Sequence, residues 1–215
     1  MSRFVVDELI KTPDNVEIVR DQICGILSLE TAHQYDLAVE AEDPVARDYK
    51  IGVYLENDEP WALQTEEDNY FPLVNVSLQS VSNGKGSTST NSTNKLATFF
   101  IDCYATGSFD GTGFSGRLAI IKAWKTARII RNILEAANYA YLGLRGVVTK
   151  RGVTDMETGM PASNNAAIKV CVVRMKLEVE FNEVSPQVKG VEIAPISLAI
   201  KDDTGLVVVD MEEEE

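Results

Sequence analysis

The sequence predicts an α+β fold, in which a mostly antiparallel sheet packs against one long helix and an N-terminal helix, with an extended hairpin and a C-terminal β extension. Strand-like patterns follow one another without the alternating helices of a doubly wound parallel fold. The chain has 215 residues, 45% of them hydrophobic and 25% charged, so it can bury a core of its own. We expect one domain over residues 1–185, and a C-terminal β arm with an acidic tail over residues 186–215.

The first helix is predicted to begin at Thr12, which precedes Pro13 in the first turn and Glu17 as a capping-box acid. Apolar residues then recur at helical spacing, so we expect the helix to run to about Leu29. These apolar positions are Val16, Val19, Ile23, Ile26 and Leu27. An acidic linker is expected to follow, with the only histidine, His33, at the surface just beyond the helix.

Three strands are predicted next, at residues 49–55, 72–81 and 96–104. Residues 82–94, between the second and third strands, include no apolar residue, so burial cannot offset the entropy of ordering them. We expect an extended hairpin tip that is mobile in the free protein. It is either a tip without a role or an arm that orders against a partner. The candidate assembly arm comprises Asn83, Gly84, Lys85, Gly86, Asn91 and Asn94.

The strongest helical pattern covers residues 117–141, and Gly143 is predicted to stop that helix. The expected apolar stripe is Leu118, Ile121, Trp124, Ile129, Ile133, Ala137 and Tyr141. A fourth strand is expected within residues 143–153, and a half-buried antiparallel strand at 167–181. The core-facing positions of that last strand are Cys171, Val173, Met175, Leu177, Val179 and Phe181. Two short strands around residues 203–205 and an acidic end complete the chain.

Charge is distributed unevenly along the chain, whose net charge is −13. That balance disfavours nucleic-acid binding, since Lys and Arg neutralising phosphates supply most of such affinity. Residues 36–70 carry eleven acidic residues, whereas residues 117–141 carry five basic residues against one acid. Head-to-tail contact between copies would use these opposed charges, although solvated faces that keep the protein soluble explain them equally well. The candidate interface residues are Lys122, Lys125, Arg128, Arg131, Glu66, Glu67 and Asp68.

Cellular location is indicated by three widely spaced cysteines, Cys24, Cys103 and Cys171, which we interpret as thiols of a reducing compartment. Two of them, Cys103 and Cys171, are expected to be buried in strands. No apolar run approaches the roughly 18 residues of a membrane span. The N-terminus is too acidic and too weakly apolar for a secretory signal.

The segment FDGTGFSG, residues 109–116, has the G-x-G-x-x-G spacing of a dinucleotide-binding loop. Residues 106–110 separate the preceding strand from Gly111, however, and the chain is still helical where the ribose-binding acid should lie. We therefore interpret the glycines as a tight turn into the second helix.

Other reactive sites are not predicted. One histidine provides no His cluster for a metal, and neither C-x-x-C nor G-x-S-x-G occurs. We expect no catalytic, cofactor-binding or metal-binding residues, and a chain that is not an enzyme. The alternatives are a small metal- or nucleotide-dependent enzyme with an unfamiliar site, and a monomeric binding module for a basic partner.

The order of elements resembles that of the tail-terminator and neck proteins of tailed bacteriophages. The likeness covers residues 12–182 and rests on topology. The segments that carry it are helix DNVEIVRDQICGIL, the hairpin PLVNVSLQSV to KLATFFIDCYATG, helix GRLAIIKAWKTARIIRNILEAANYAYLGL and strand KVCVVRMKLEVEF. Residues 191–215 are not part of the usual pattern.

This resemblance implies a hexameric ring that caps the tail tube and joins it to the head. The implied partners are copies of the chain, the tail tube protein and the head-proximal connector or neck proteins. DNA would pass through an acidic lumen without being bound, because like charges repel. The protein would be assembled in the host cytoplasm and reside in the virion.

Overall fold

A computed structural model describes residues 3–6, 13–58, 60, 71–84, 92–108, 115–159, 168–184, 190–193, 199–202 and 205–208. The chain divides into two compact units, Pro13–Ser185 and the combination of Met1–Thr12 with Pro186–Glu215. In the smaller unit, strands β1 (Arg3–Val6) and β7 (Gly190–Ile193) pair antiparallel. Strands β8 (Ala199–Asp202) and β9 (Gly205–Val208) form a second antiparallel pair around residues 203–204, where two short strands were predicted.

The larger unit is a five-stranded sheet with two helices packed on one face. Its strands are β2 (Gly52–Leu55), β3 (Leu73–Asn83), β4 (Ser92–Ser108), β5 (Val148–Gly159) and β6 (Ile168–Val184). The spatial order is β2-β3-β4-β6-β5, with β2 parallel to β3 and every other pair antiparallel. The helices are α1 (Asn15–Glu40) and α2 (Ser115–Glu135). The predicted α+β class is therefore confirmed.

Strict alternation in β6 builds the core. All six positions predicted to face inward are fully buried. Alternate residues of β4, among them Phe99 and Ile101, share that face and meet the helices. Apolar side chains on one face of a sheet must be covered, and α1 and α2 provide that cover.

Helix α1 begins later and ends later than predicted. Its N-cap residue is Asp14 rather than Thr12, and the Asp14 backbone N–H donates to Glu17 Oε2 at 3.1 Å, as the predicted capping-box acid requires. The helix continues to Glu40. Its buried residues after Leu27 are the small Thr31 and Ala38, so the pattern of large apolar residues ends before the helix does. His33 therefore lies inside the helix, although it is exposed as predicted.

Helix α2 buries only part of the predicted stripe, since Ile133 is buried and Ile129 packs against the core, but the other members are exposed or lie beyond the helix. Leu118, Ile121 and Trp124 are 45%, 54% and 42% exposed. The residues that meet the sheet are mostly small, and they recur every three or four positions. They are Ala119, Ala123, Thr126, Ala127, Ile130, Ile133 and Leu134. Because the alanines allow close approach to a sheet already filled by large side chains, Leu118, Ile121 and Trp124 are left outside, whereas large residues are buried only near the C-terminal end of α2.

The end of α2 also differs from the prediction. The helix stops at Glu135, where Ala136 takes an extended conformation, and Gly143 lies in a later turn with φ of 72°. Arg151 of β5 donates to the carbonyl oxygens of Ala136 and Tyr139, which satisfies acceptors that a continuing helix would have used.

Strand boundaries were predicted less well than strand existence. The first predicted strand begins at Gly52, since Ala46–Tyr49 forms a 3₁₀ turn. The third extends well beyond the predicted 96–104 at both ends, and the fourth begins only at Val148.

Candidate functional site

Two of the four predicted basic interface residues have partners within the chain. Lys125 Nζ lies 3.2 Å from Asp48 Oδ2 and 4.6 Å from the centre of the Tyr49 ring, so Lys125 ties α2 to the 3₁₀ turn. Arg131 Nε lies 3.8 Å from Glu135 Oε2, one helical turn away. Both cations therefore lie beside acids of the same chain.

The other two basic residues, Lys122 and Arg128, are exposed. Within the described part of the chain, neither has a carboxylate at salt-bridge distance. The acids predicted to meet such cations across an interface, Glu66, Glu67 and Asp68, lie outside the described residues.

A groove runs between the outward face of α2 and the edge strand β5, and we call it the α2–β5 groove. It has a volume of about 530 Å³. Its lining is Ile121, Trp124, Lys125, Arg128, Arg131 and Met156. Three apolar side chains therefore lie among three basic ones. The sequence pointed to the basic residues, but the helical spacing of its apolar residues placed Ile121 and Trp124 in the stripe expected to face the core.

A second groove, of about 310 Å³, lies on the face of the sheet away from the helices. Its lining is Gln79, Ser80, Thr98, Phe100, Asp155, Glu157, Arg174 and Lys176. Arg174 donates from Nε to Asp102 Oδ1 at 2.7 Å and from Nη2 to Asp102 Oδ2 at 2.8 Å, across the β4–β6 pair. The Arg174 guanidinium also lies 4.4 Å from the centre of the Phe100 ring.

The pKa values of Arg174 and Tyr104 are shifted by their immediate surroundings. The hydrogen bond to Asp102 raises the pKa of Arg174, and burial, with Asp102 beside it, raises the pKa of Tyr104. Tyr104 Oη donates to Asp102 Oδ2 at 3.3 Å. Both carboxylate oxygens are thus satisfied, so the arrangement stabilises the sheet rather than presenting a reactive acid. Sequence reasoning missed this pair, although an aspartate in the middle of an apolar strand was the signal.

The candidate assembly arm is anchored at its base. Asn83 and Asn94 lie in the paired strands β3 and β4, and Asn94 also faces Asn182 of β6. Gly84 N donates to Asn94 O at 2.9 Å. Backbone pairing therefore extends into both ends of the predicted tip, at residues that have no apolar side chains. Lys85, Gly86 and Asn91 lie outside the described residues.

The remaining sequence predictions concern the glycine-rich loop, the cysteines, metal ligands and membrane spans. Residues 109–114 of the loop lie outside the described residues, and α2 begins directly after them at Ser115. Cys103 and Cys171 are buried thiols, as predicted. Among the residues that the structure describes, no three His, Cys, Asp or Glu side chains are grouped to hold a metal ion. In the same residues, no helix is long and apolar enough to cross a membrane.

Comparison with known proteins adds no relative. No protein-family model matches the sequence, and no curated protein matches it.

Proposed function

We propose that this chain is a structural protein of a bacteriophage tail or neck, which assembles with copies of itself into a hexameric ring. The ring would cap the tail tube and join it to the head-proximal connector. Support comes from the order of elements, in which a first helix, a long hairpin, a helix across the sheet and a long antiparallel strand follow one another. That order is the one on which the resemblance to tail-terminator and neck proteins rests.

The observation that carries the proposal is the α2–β5 groove. Trp124 and Ile121 are exposed there beside Arg128 and Arg131. Aromatic residues and arginines are enriched at protein interfaces, where a few of them supply most of the binding energy. A helix that leaves Leu118, Ile121 and Trp124 outside, while its alanines face the sheet, has the composition expected of a subunit that buries this face against another protein.

The overall charge fits the same role. A net charge of −13 gives an assembled ring a negative field, which repels the phosphates of passing DNA and gives them no binding site. DNA would therefore pass through the ring without being held.

Self-association is the property to test. Size-exclusion chromatography with light scattering over a wide concentration range, followed by negative-stain electron microscopy, should show rings or higher assembly. The same measurement in the presence of a tail tube protein should show a capped tube. A strict monomer under both conditions would overturn the proposal. If Mg²⁺ or a nucleotide raised the melting temperature of that monomer, the alternative of a small enzyme would be favoured instead.

A further inference from the structure

We infer that the α2–β5 groove of one copy receives the C-terminal half of α1 from the next copy. The inference rests on the proposed function, which it deepens by naming the two surfaces that meet. It commits to a second copy of this chain as the occupant of the groove.

The occupant must satisfy two requirements that the groove sets. Ile121, Trp124 and Met156 offer apolar area, so the occupant needs apolar side chains. Arg128 is exposed and has no acid within salt-bridge distance in the described ranges, so the occupant also needs carboxylates. Lys125 already neutralises Asp48, which leaves Arg128 and its neighbour Lys122 as the uncompensated charges of this face.

The C-terminal half of α1 meets both requirements. Its outward positions Leu29, His33, Asp36, Leu37 and Glu40 share one helical face, because they are spaced by three, four or seven residues along most of the run. We call these five residues the α1 stripe. Leu29 is 76% exposed and Leu37 is 44% exposed, while Asp36 and Glu40 are exposed acids.

The end of α1 strengthens the negative charge of this stripe. No basic residue lies in the last turn of the helix, and Glu42 lies two residues beyond its end. The negative end of the helix dipole therefore adds to the charges of Asp36 and Glu40 instead of being offset by a cation. A basic groove on another molecule would supply the missing cations.

The positions of the two surfaces suit contact between copies. The α1 helix packs against β2, β3, β6, the 3₁₀ turn and α2, whereas the groove lies between the outward face of α2 and β5. Two different surfaces make a heterologous contact, which generates a ring when the rotation between copies closes.

The acidic end of the chain is the competing occupant. Residues 210–215 carry five acids and a single apolar residue, Met211. That segment would match the charge of Arg128 but would leave the apolar surface of Ile121 and Trp124 uncovered. The α1 stripe matches both, which is why we choose it.

Reciprocal charge reversal tests the inference on the full-length chain. Arg128→Glu and Glu40→Lys should each weaken self-association by about tenfold or more, since like charges would then face each other. An equimolar mixture of the two variants should recover assembly. In that mixture, the altered groove of the Arg128→Glu variant meets the altered stripe of the Glu40→Lys variant. The unaltered groove of the Glu40→Lys variant meets the unaltered stripe of the Arg128→Glu variant. The two variants therefore alternate around an even-numbered ring.

Matched controls reverse the same charges on the other face of the sheet. Lys150 and Glu180 are cross-strand neighbours there, so Lys150→Glu and Glu180→Lys repeat the charge changes away from both surfaces. They should leave self-association unchanged. Circular dichroism should show native folding for every variant, and Arg128→Gln with Glu40→Gln replaces any reversal that fails to fold. The Gln variants should show weaker association than the wild type.

The outcomes separate this inference from the proposed function. A wild-type chain that stays monomeric with and without tube protein defeats the proposed function itself. If the wild type assembles but the variants assemble equally well, or the mixture stays dissociated, or the control pair is equally disruptive, the two surfaces do not meet. If removal of residues 210–215 weakens association as much as Arg128→Glu while Glu40→Lys does not, the acidic end occupies the groove and the inference is wrong.

Discussion

Arg174 donates two parallel hydrogen bonds to the carboxylate of Asp102 on the neighbouring strand. The side chains of the two residues differ sharply in their exposure to solvent. The Asp102 side chain is 4% exposed, whereas that of Arg174 is 41% exposed. Removing Asp102 and removing Arg174 should therefore differ in their cost to the free energy of unfolding. A buried carboxylate without a cation is costly, while an arginine at the rim of a groove can turn to water.

Substitutions at this pair should consequently be unequal in effect. Arg174→Met should lower the free energy of unfolding by about 3 kcal/mol, because it strands the buried charge of Asp102. Asp102→Asn should lower it by only about 1 kcal/mol, because the amide keeps an acceptor and Arg174 reaches solvent. Urea unfolding followed by circular dichroism measures both.

The double variant Asp102→Leu with Arg174→Met provides the matched control. An apolar pair replaces an ion pair there, so the combined loss should be smaller than the loss from Arg174→Met alone. A combined loss equal to the sum of the losses from Asp102→Leu and Arg174→Met alone would show that the two side chains do not interact.

Two glycines should respond to alanine in opposite directions. Gly25 lies within α1, and a Cβ there would meet nothing within 4 Å, so Gly25→Ala should stabilise the protein by about 0.5–1 kcal/mol through helix propensity. Gly146 also faces open space, but its φ of 89° is unfavourable for alanine, so Gly146→Ala should destabilise. Thermal melts of both variants under one condition measure the two signs, and a loss of stability at Gly25 would contradict the first.

The start of α1 supplies a third prediction. Asp14→Ala should lower the free energy of unfolding by about 1 kcal/mol, since it removes the N-cap residue of the helix. Thr12→Ala is the matched control, because Thr12 is the cap that sequence pattern alone favoured. Equal losses at both positions, measured by urea unfolding, would argue that Asp14 is not the capping residue.

Some elements could be predicted from sequence because a single local pattern determines them. In β6, every second residue is apolar over six positions, and no other structure places such residues on one side. The capping-box acid Glu17 was equally recognisable, since the motif is short and local. Such features need no knowledge of what packs against them.

Other elements depended on the partner surface. Helix α2 has Leu118, Ile121 and Trp124 on one side and alanines at 119, 123 and 127 on another, and only the bulky sheet beneath it decides which side is buried. The Asp102–Arg174 pair required the register of β4 against β6, which joins residues far apart in the chain. Neither the groove nor the α1 stripe was predicted, since both depend on which helical faces the fold leaves outside.

Alkaline pH should destabilise this protein through the buried thiol of Cys103 and the phenol of Tyr104. Burial, with Asp102 as a smaller contribution, raises the pKa of Cys103, and burial with Asp102 likewise raises the pKa of Tyr104. In the unfolded chain a cysteine ionises near pH ~8.5 and a tyrosine near ~10, so the unfolded state binds fewer protons than the folded state above those values.

The free energy of unfolding should therefore be constant with respect to these groups below about pH 8 and fall as the pH rises further. Urea unfolding between about pH 7.5 and about pH 10 measures the slope. Cys103→Ala should lower the stability at neutral pH by leaving a small cavity, but it should also make the alkaline slope shallower. Cys24→Ala is the matched control, because Cys24 is only half-buried and its removal should change the slope less. If the Cys103→Ala slope equals that of the wild type, the thiol of Cys103 is not the group that resists ionisation in the fold.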